Sequence, residues 1–171
     1  MSTLNERELS FTFPDDWAAE HFDAPGRASI DHFQPVDFVV ELAERTLFIE
    51  VKDPSNSRAP QSEREDFVNK MKSKELTHKQ LVPKARTSWA FLRLMKRAEK
   101  PITYIVVIGA DALRIDPLLW LTLTDRLKER LAQETDEPWP LQYVDKCIVI
   151  PAADLSRHLP GVSVQRIATA T

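Results

Sequence analysis

The sequence is poor in glycine and almost free of cysteine. Its three glycines, Gly26, Gly109 and Gly161, stand far apart. No phosphate-cradling loop of the GxxxxGK[ST] or GxGxxG type can be written from them. Gly161-Val162-Ser163 is not a nucleophile elbow, because position 165 is Gln rather than Gly. The lone Cys147 has no partner for an internal disulfide. Four scattered histidines without cysteine partners argue against a structural zinc site. Long hydrophobic runs are missing too. The longest, Ile102 to Ala110, is too short to cross a bilayer as a helix, and the opening residues MSTLNEREL hold no apolar signal region. These absences lead to the expectation of a soluble, cytoplasmic protein with no membrane partner.

What is present suits one globular unit. The chain has 171 residues, of which 43% are hydrophobic and 29% charged. That is long enough to bury a core and too apolar for a disordered tail. A single domain over residues 1–171 is expected. A net charge of −3 neither favours nor excludes a polyanionic partner.

Periodicity orders the elements. Pro14-Asp15-Asp16-Trp17 predicts a helix start, with a short helix to about Phe22. A short strand is expected over Ser29–Phe33. Val36–Leu42 and Thr46–Asp53 are rich in β-branched and aromatic residues and predict two strands around a turn at Ala43-Glu44-Arg45. Ser62-x-x-Glu65 has the form of a capping box. A long helix is expected over Leu76–Ala98, with a break at Pro83. Ile102–Ile108 reads as a strand buried on both faces. Asp116-Pro117 supplies an N-cap and first turn for a helix to about Ala132. Cys147–Ile150 predicts a strand, Ala152–His158 a short helix, and Val162–Ile167 a last strand. The order α-β-β-β-α-α-β-α-β is that of an α/β domain with a central mixed β-sheet flanked by helices.

The two strands around Ala43-Glu44 carry the chemistry. If they pair as an antiparallel hairpin, Leu42 faces Arg45 and, counting outward, Asp37 faces Glu50. Side chains alternate along a strand, so Phe38, Val40, Leu42, Leu47, Ile49 and Val51 form one apolar face that must be core. The register that buries this set also gathers Asp37, Glu50 and Lys52 on the opposite face, expected to be the wet side of the ribbon. Directly opposed Cβ atoms lie roughly 5 Å apart, close enough for two carboxylates to share a cation.

Pro35-Val-Asp37 followed by Glu50-Val51-Lys52 resembles the PD-(D/E)xK signature of restriction-endonuclease-like nucleases. In that pattern an Asp begins one strand and an acid-x-Lys ends the next. Here Val36 stands between the Pro and the Asp. The motif covers Pro35–Pro54, and the order of elements is similar to the family core to about residue 150. The chain contains a single acid-x-Lys triplet, and it lies in a predicted strand with the upstream Asp in register.

The resemblance implies a restriction-endonuclease-like fold and a Mg²⁺- or Mn²⁺-dependent nuclease. Hard oxygen donors from Asp37 and Glu50 suit Mg²⁺, and the resemblance adds the Val51 carbonyl as a ligand. Lys52 would orient or deprotonate the attacking water, or stabilise the pentavalent state. Family members often add a carboxylate from the first helix; Glu20 is the candidate, with Glu8 and Asp23 behind it. DNA rather than RNA as substrate rests on the resemblance alone. Specificity would come from loops, a homodimer or a partner protein. The rival reading is a catalytically silent nuclease-fold subunit that binds nucleic acid or serves as an assembly module.

Cations gather just after this motif. From Lys70 to Lys100 the local charge is +8 in a chain of net −3. Lys70, Lys72, Lys74, Lys79, Lys84 and Arg86 suit a groove that follows a phosphate backbone. Lys84 and Gln80 lie on the helix after the acid-x-Lys strand, where related nucleases often place a site-supporting residue. The QxxxY pattern of one branch is absent, since position 84 is Lys.

Overall fold

Runs of β-branched and aromatic residues set the central strands, and a computed structural model describes residues 1–25 and 31–167. In chain order the strands are β1 (Ser2–Glu6), β2 (Leu9–Phe13), β3 (Ala18–His21), β4 (Phe38–Glu41), β5 (Thr46–Lys52), β6 (Ile102–Ile108), β7 (Lys146–Pro151) and β8 (Ser163–Arg166). Among the described residues the α-helices are α1 (Gln61–Lys72), α2 (Val82–Leu94), α3 (Pro117–Ala132) and α4 (Leu155–His158). A π-helical segment, Leu76–Leu81, runs into α2. None of these helices is long and apolar enough to cross a membrane.

Five strands form a mixed sheet in the order β3-β4-β5-β6-β7. The pairs β3–β4 and β4–β5 are antiparallel, whereas β5–β6 and β6–β7 are parallel. The hairpin register is the one expected: Phe38 pairs with Ile49 and Glu41 with Thr46, and Leu42 N–H donates to the Arg45 carbonyl at 2.9 Å. A second, antiparallel sheet has the order β1-β2-β8.

Two cores lie on either side of the large sheet. On one face Val39, Phe48, Tyr104 and Val106 pack under the π segment and α2 through Leu76, Leu81, Ala85 and Leu92, and against α3 through Leu123 and Leu127. On the other, Phe38, Val40, Leu47, Ile49 and Val51 meet Leu9, Phe11 and Phe13 of β2. The Phe11 and Phe38 rings stand edge to face with centroids 5.3 Å apart. The fold is therefore α/β with a mixed sheet, but the second face is covered mainly by the small sheet, helped by α4 and the 3-10 turn Ala152–Asp154 that leads into it.

Several local expectations are corrected. Residues 16–22 do not form a helix: the chain turns at Trp17, whose N–H reaches the Pro14 carbonyl, and then runs as β3. Pairing with β4 outweighs the N-cap signal, because local helix propensity is a weak preference that tertiary context overrides. Ser62-x-x-Glu65 is not a capping box, since α1 starts two residues earlier than that box requires and Pro60 occupies its N-cap. The long helix over 76–98 is divided. The π segment ends as Val82 N–H bonds the Thr77 carbonyl, and Pro83 falls in the first turn of α2, where its missing N–H is harmless. Of the strand expected at Ser29–Phe33, residues 29 and 30 lie outside the described residues, and 31–33 are not strand. Ile102–Ile108 and the helix opened by Asp116 match expectation; the Asp116 side chain accepts from Leu118 N–H.

Candidate functional site

The site sits where β5 ends beside the start of β4. Asp37 and Glu50 share a face, as the register requires, but that face is not wet. Val39 and Phe48 on the same side draw the π segment and α2 over it, so Asp37 is 4% exposed and Glu50 0%. The β5 strand is also central, paired with β4 and β6, rather than an edge.

Each carboxylate is held by a different device. Asp37 Oδ2 accepts the Val51 N–H at 2.6 Å. The Phe22 N–H bonds the Asp37 carbonyl, fixing the strand start against β3. Helix α2 fastens the segment just before it: Val36 N–H donates to Ser88 Oγ at 2.9 Å and Thr87 Oγ1 donates to the Gln34 carbonyl at 2.6 Å. Lys84 lies one turn before Ser88 on the same helix face. Its Nζ stands 2.8 Å from Glu50 Oε1 and 3.4 Å from Asp37 Oδ1. Lys52 Nζ approaches Glu50 Oε1 at 3.0 Å. Tyr104, wholly buried, donates its hydroxyl to the Leu81 carbonyl and so seats the start of α2 on the sheet.

The other Glu50 oxygen, Oε2, is buried without a hydrogen-bond partner among the described residues. Burial and the neighbouring Asp37 charge push the Glu50 carboxyl up to about 7, against the pull of Lys52 and Lys84. For Lys84, burial pulls downward but Glu50 and Asp37 outweigh it, so its ammonium is favoured. The two partners differ because the Lys84 side chain keeps 22% exposure and Glu50 has none.

Two further carboxylates converge on Asp37. One oxygen each of Glu6, Asp23 and Asp37 lie within 4.8 Å of one another. Burial, then Asp37 and Asp23, pushes Glu6 up to about 7, and burial followed by Asp37 raises Asp23. Asp23 was among the sequence candidates. Glu6 was not: it ends a strand of the second sheet, and only long-range packing brings it here. Glu20 is instead on β3 opposite Val39, and its carboxylate is engaged by Arg97, which also holds Glu41. Glu8 accepts from Ser57 and pairs with Arg166 at 3.5 Å.

The Val51 carbonyl reaches the same edge by strand geometry. Val51 N–H faces Asp37, whereas the Lys52 carbonyl accepts Gly109 N–H on the β6 side. Backbone groups alternate between the two sides of a strand, which turns the Val51 carbonyl toward Asp37.

A cleft of about 290 Å³ adjoins the Lys52 end; in its lining Arg7, Lys52 and Lys70 stand with Asp53, Glu63 and Asp66, beside Asn56 and Gln80. The expected basic stretch is thereby divided. Lys70 and Gln80 face the cleft, Lys84 turns inward to the acids, and Lys72 lines a separate hollow with Arg64 and Arg114. Lys70 is paired with Asp66 at 2.6 Å, Lys79 with Glu75 at 3.8 Å, and Arg86 with Glu134. Lys74 is exposed. Arg7, in the β1–β2 turn, was missed, because nothing local marks a turn residue as part of a distant cleft.

In comparisons with protein-family models, curated proteins and solved structures, nothing matches the chain.

Proposed function

We propose that the protein is a metal-dependent nuclease of the PD-(D/E)xK kind, acting on DNA. The observation that carries this reading is the convergence of Asp37, Glu50 and Lys52 at the carboxyl end of β5. Crevices beyond the carboxyl ends of parallel strands are the usual ligand sites of such sheets. The strand order supports the same reading: an antiparallel acid strand and acid-x-Lys strand, then helices and a parallel strand.

The donor set fits a hard divalent cation. Asp37, Glu50 and the Val51 carbonyl offer oxygen only, and Glu50 Oε2 is a buried oxygen with no hydrogen-bond donor against it among the described residues. These three groups would hold Mg²⁺ or Mn²⁺, with water and substrate phosphate completing its shell. When bound, the ion supplies charge stabilisation at the phosphate and an acidified water. Lys52, 21% exposed at the cleft, points its ammonium where it can orient that water or offset the developing charge. Asp37 is held rigid by Val51 N–H and by α2, so little rearrangement is required of it.

The test is cleavage of plasmid and single-stranded DNA with Mn²⁺ and with EDTA. Wild type is expected to cut only with the metal, and Asp37→Ala and Lys52→Ala to lose cutting by at least about 100-fold while staying folded. Full activity in both variants would remove the assignment.

A second reading has its own support. The Lys84 ammonium already lies against both carboxylates, which supports the reading of a catalytically silent subunit that binds nucleic acid or a protein partner. DNA binding indifferent to metal, with no cleavage, is its expected signature.

A further inference from the structure

Two buried acids, with a third and fourth carboxylate close to one of them, are costly to ionise in a folded core unless positive charge lies against them. In this protein the charge comes from two lysines, and they are placed differently. Lys52 touches Glu50 alone. Lys84 spans the pair, at 2.8 Å from Glu50 Oε1 and 3.4 Å from Asp37 Oδ1. It is therefore the group that lies where a shared cation would have its strongest attraction.

From this geometry we infer that Lys84 is a resident counter-cation of the Asp37–Glu50 pair, which a divalent ion must displace to load the site. The inference rests on the nuclease reading and adds to it what sets the loading threshold. An ammonium and a dication cannot both lie against this one pair of carboxylates, because positive charges a few ångströms apart repel strongly at the low effective dielectric of a buried site. Lys84 can leave: its stem is long and flexible, and its side chain retains access to solvent. The carboxylates cannot follow, since Asp37 is bound to Val51 N–H and Glu50 is wholly enclosed. The exchange thus moves one side chain and leaves the sheet in place.

A structural role alone would make removal of Lys84 harmful in every respect. Exchange gives effects of opposite sign. Without metal, the acids lose a counter-charge and stability falls; with metal, the competitor is gone and binding tightens.

The experiment is calorimetric titration of the full-length chain with Mn²⁺, alongside thermal unfolding in EDTA, for wild type, Lys84→Met and Lys84→Arg. Lys84→Met is expected to unfold several degrees lower in EDTA and to bind Mn²⁺ on the order of tenfold more tightly. Lys84→Arg keeps the charge and is expected to stay near wild type in both measurements. It also serves if Lys84→Met fails to fold, because an Arg variant binding Mn²⁺ more than about tenfold tighter than wild type would contradict a charge-based competition. Binding by wild type with equal or weaker binding by Lys84→Met overturns the exchange alone. Absence of Mn²⁺ binding in every variant removes both the exchange and the metal-site reading.

Discussion

Glu6 is partly buried beside two other carboxylates, Asp37 and Asp23, and burial first, then their charge, raises its ordinary value of 4.5 to about 7. The folded state therefore holds the Glu6 proton more tightly than the unfolded chain does. Ionising this group costs nothing below pH 4.5, costs progressively more up to about 7, and levels off above. Glu6→Gln removes that cost. The thermal midpoint of the variant relative to wild type is expected to rise between pH 5 and pH 8, measured in EDTA. An unchanged difference across that range would show that Glu6 is not confined by its acidic neighbours. Lys84 illustrates the same level of detail from the other side: one side chain decides whether two buried acids are neutralised from within or from solution.

The end of β5 depends on the loop that follows β6. Gly109 N–H donates to the Lys52 carbonyl at 2.8 Å, which holds the acid-x-Lys segment in the parallel ladder. A Cβ on Gly109 would lie 2.4 Å from Asp53 Oδ1, nearer than side chains can pack. Asp53 cannot easily retreat, because Arg166 of β8 grips it at 3.0 and 3.1 Å and also holds Asp111. Gly109→Ala is expected to cost about 1–3 kcal/mol in denaturant unfolding, as overpacking does, and to disturb the site more than its distance from Asp37 would suggest. A variant as stable as wild type would mean that the Asp53 loop yields freely. Helix α2 is the matching device on the other strand. Thr87 and Ser88 clamp the segment before Asp37 on the same helical face that delivers Lys84.

Across the molecule, the two sheets and the helical layer make one cleft out of distant segments: Arg7 from the small sheet, Lys52 from the large one, Lys70 from α1 and Gln80 from the π segment. If substrate phosphates lie along it, replacing Arg7 and Lys70 by Glu should weaken DNA binding at least about tenfold, and lower the slope of log affinity against log salt by roughly 1 per lost contact. Lys128→Glu combined with Lys146→Glu, on α3 and β7, is the charge-matched control and should leave binding near wild type. Equal losses in both variants would point to bulk charge rather than to this cleft.

The hairpin was legible because it is local. Alternation from Phe38 to Val51 allows one register that buries the apolar set, and that register alone sets Asp37 across from Glu50. Asp116-Pro117 was equally legible, since an N-cap acts within one turn. The wetness of the acidic face was misread, although Val39 and Phe48 on that face already hinted at a cover. Periodicity reports which residues share a side, not what lies over it. Only the tertiary structure placed α2 there, turned Lys84 from a surface cation into a partner of both acids, brought Glu6 to Asp37 and engaged Glu20 with Arg97. Those contacts join segments far apart in the chain, and their energy comes from packing and burial, to which short-range pattern carries no signal.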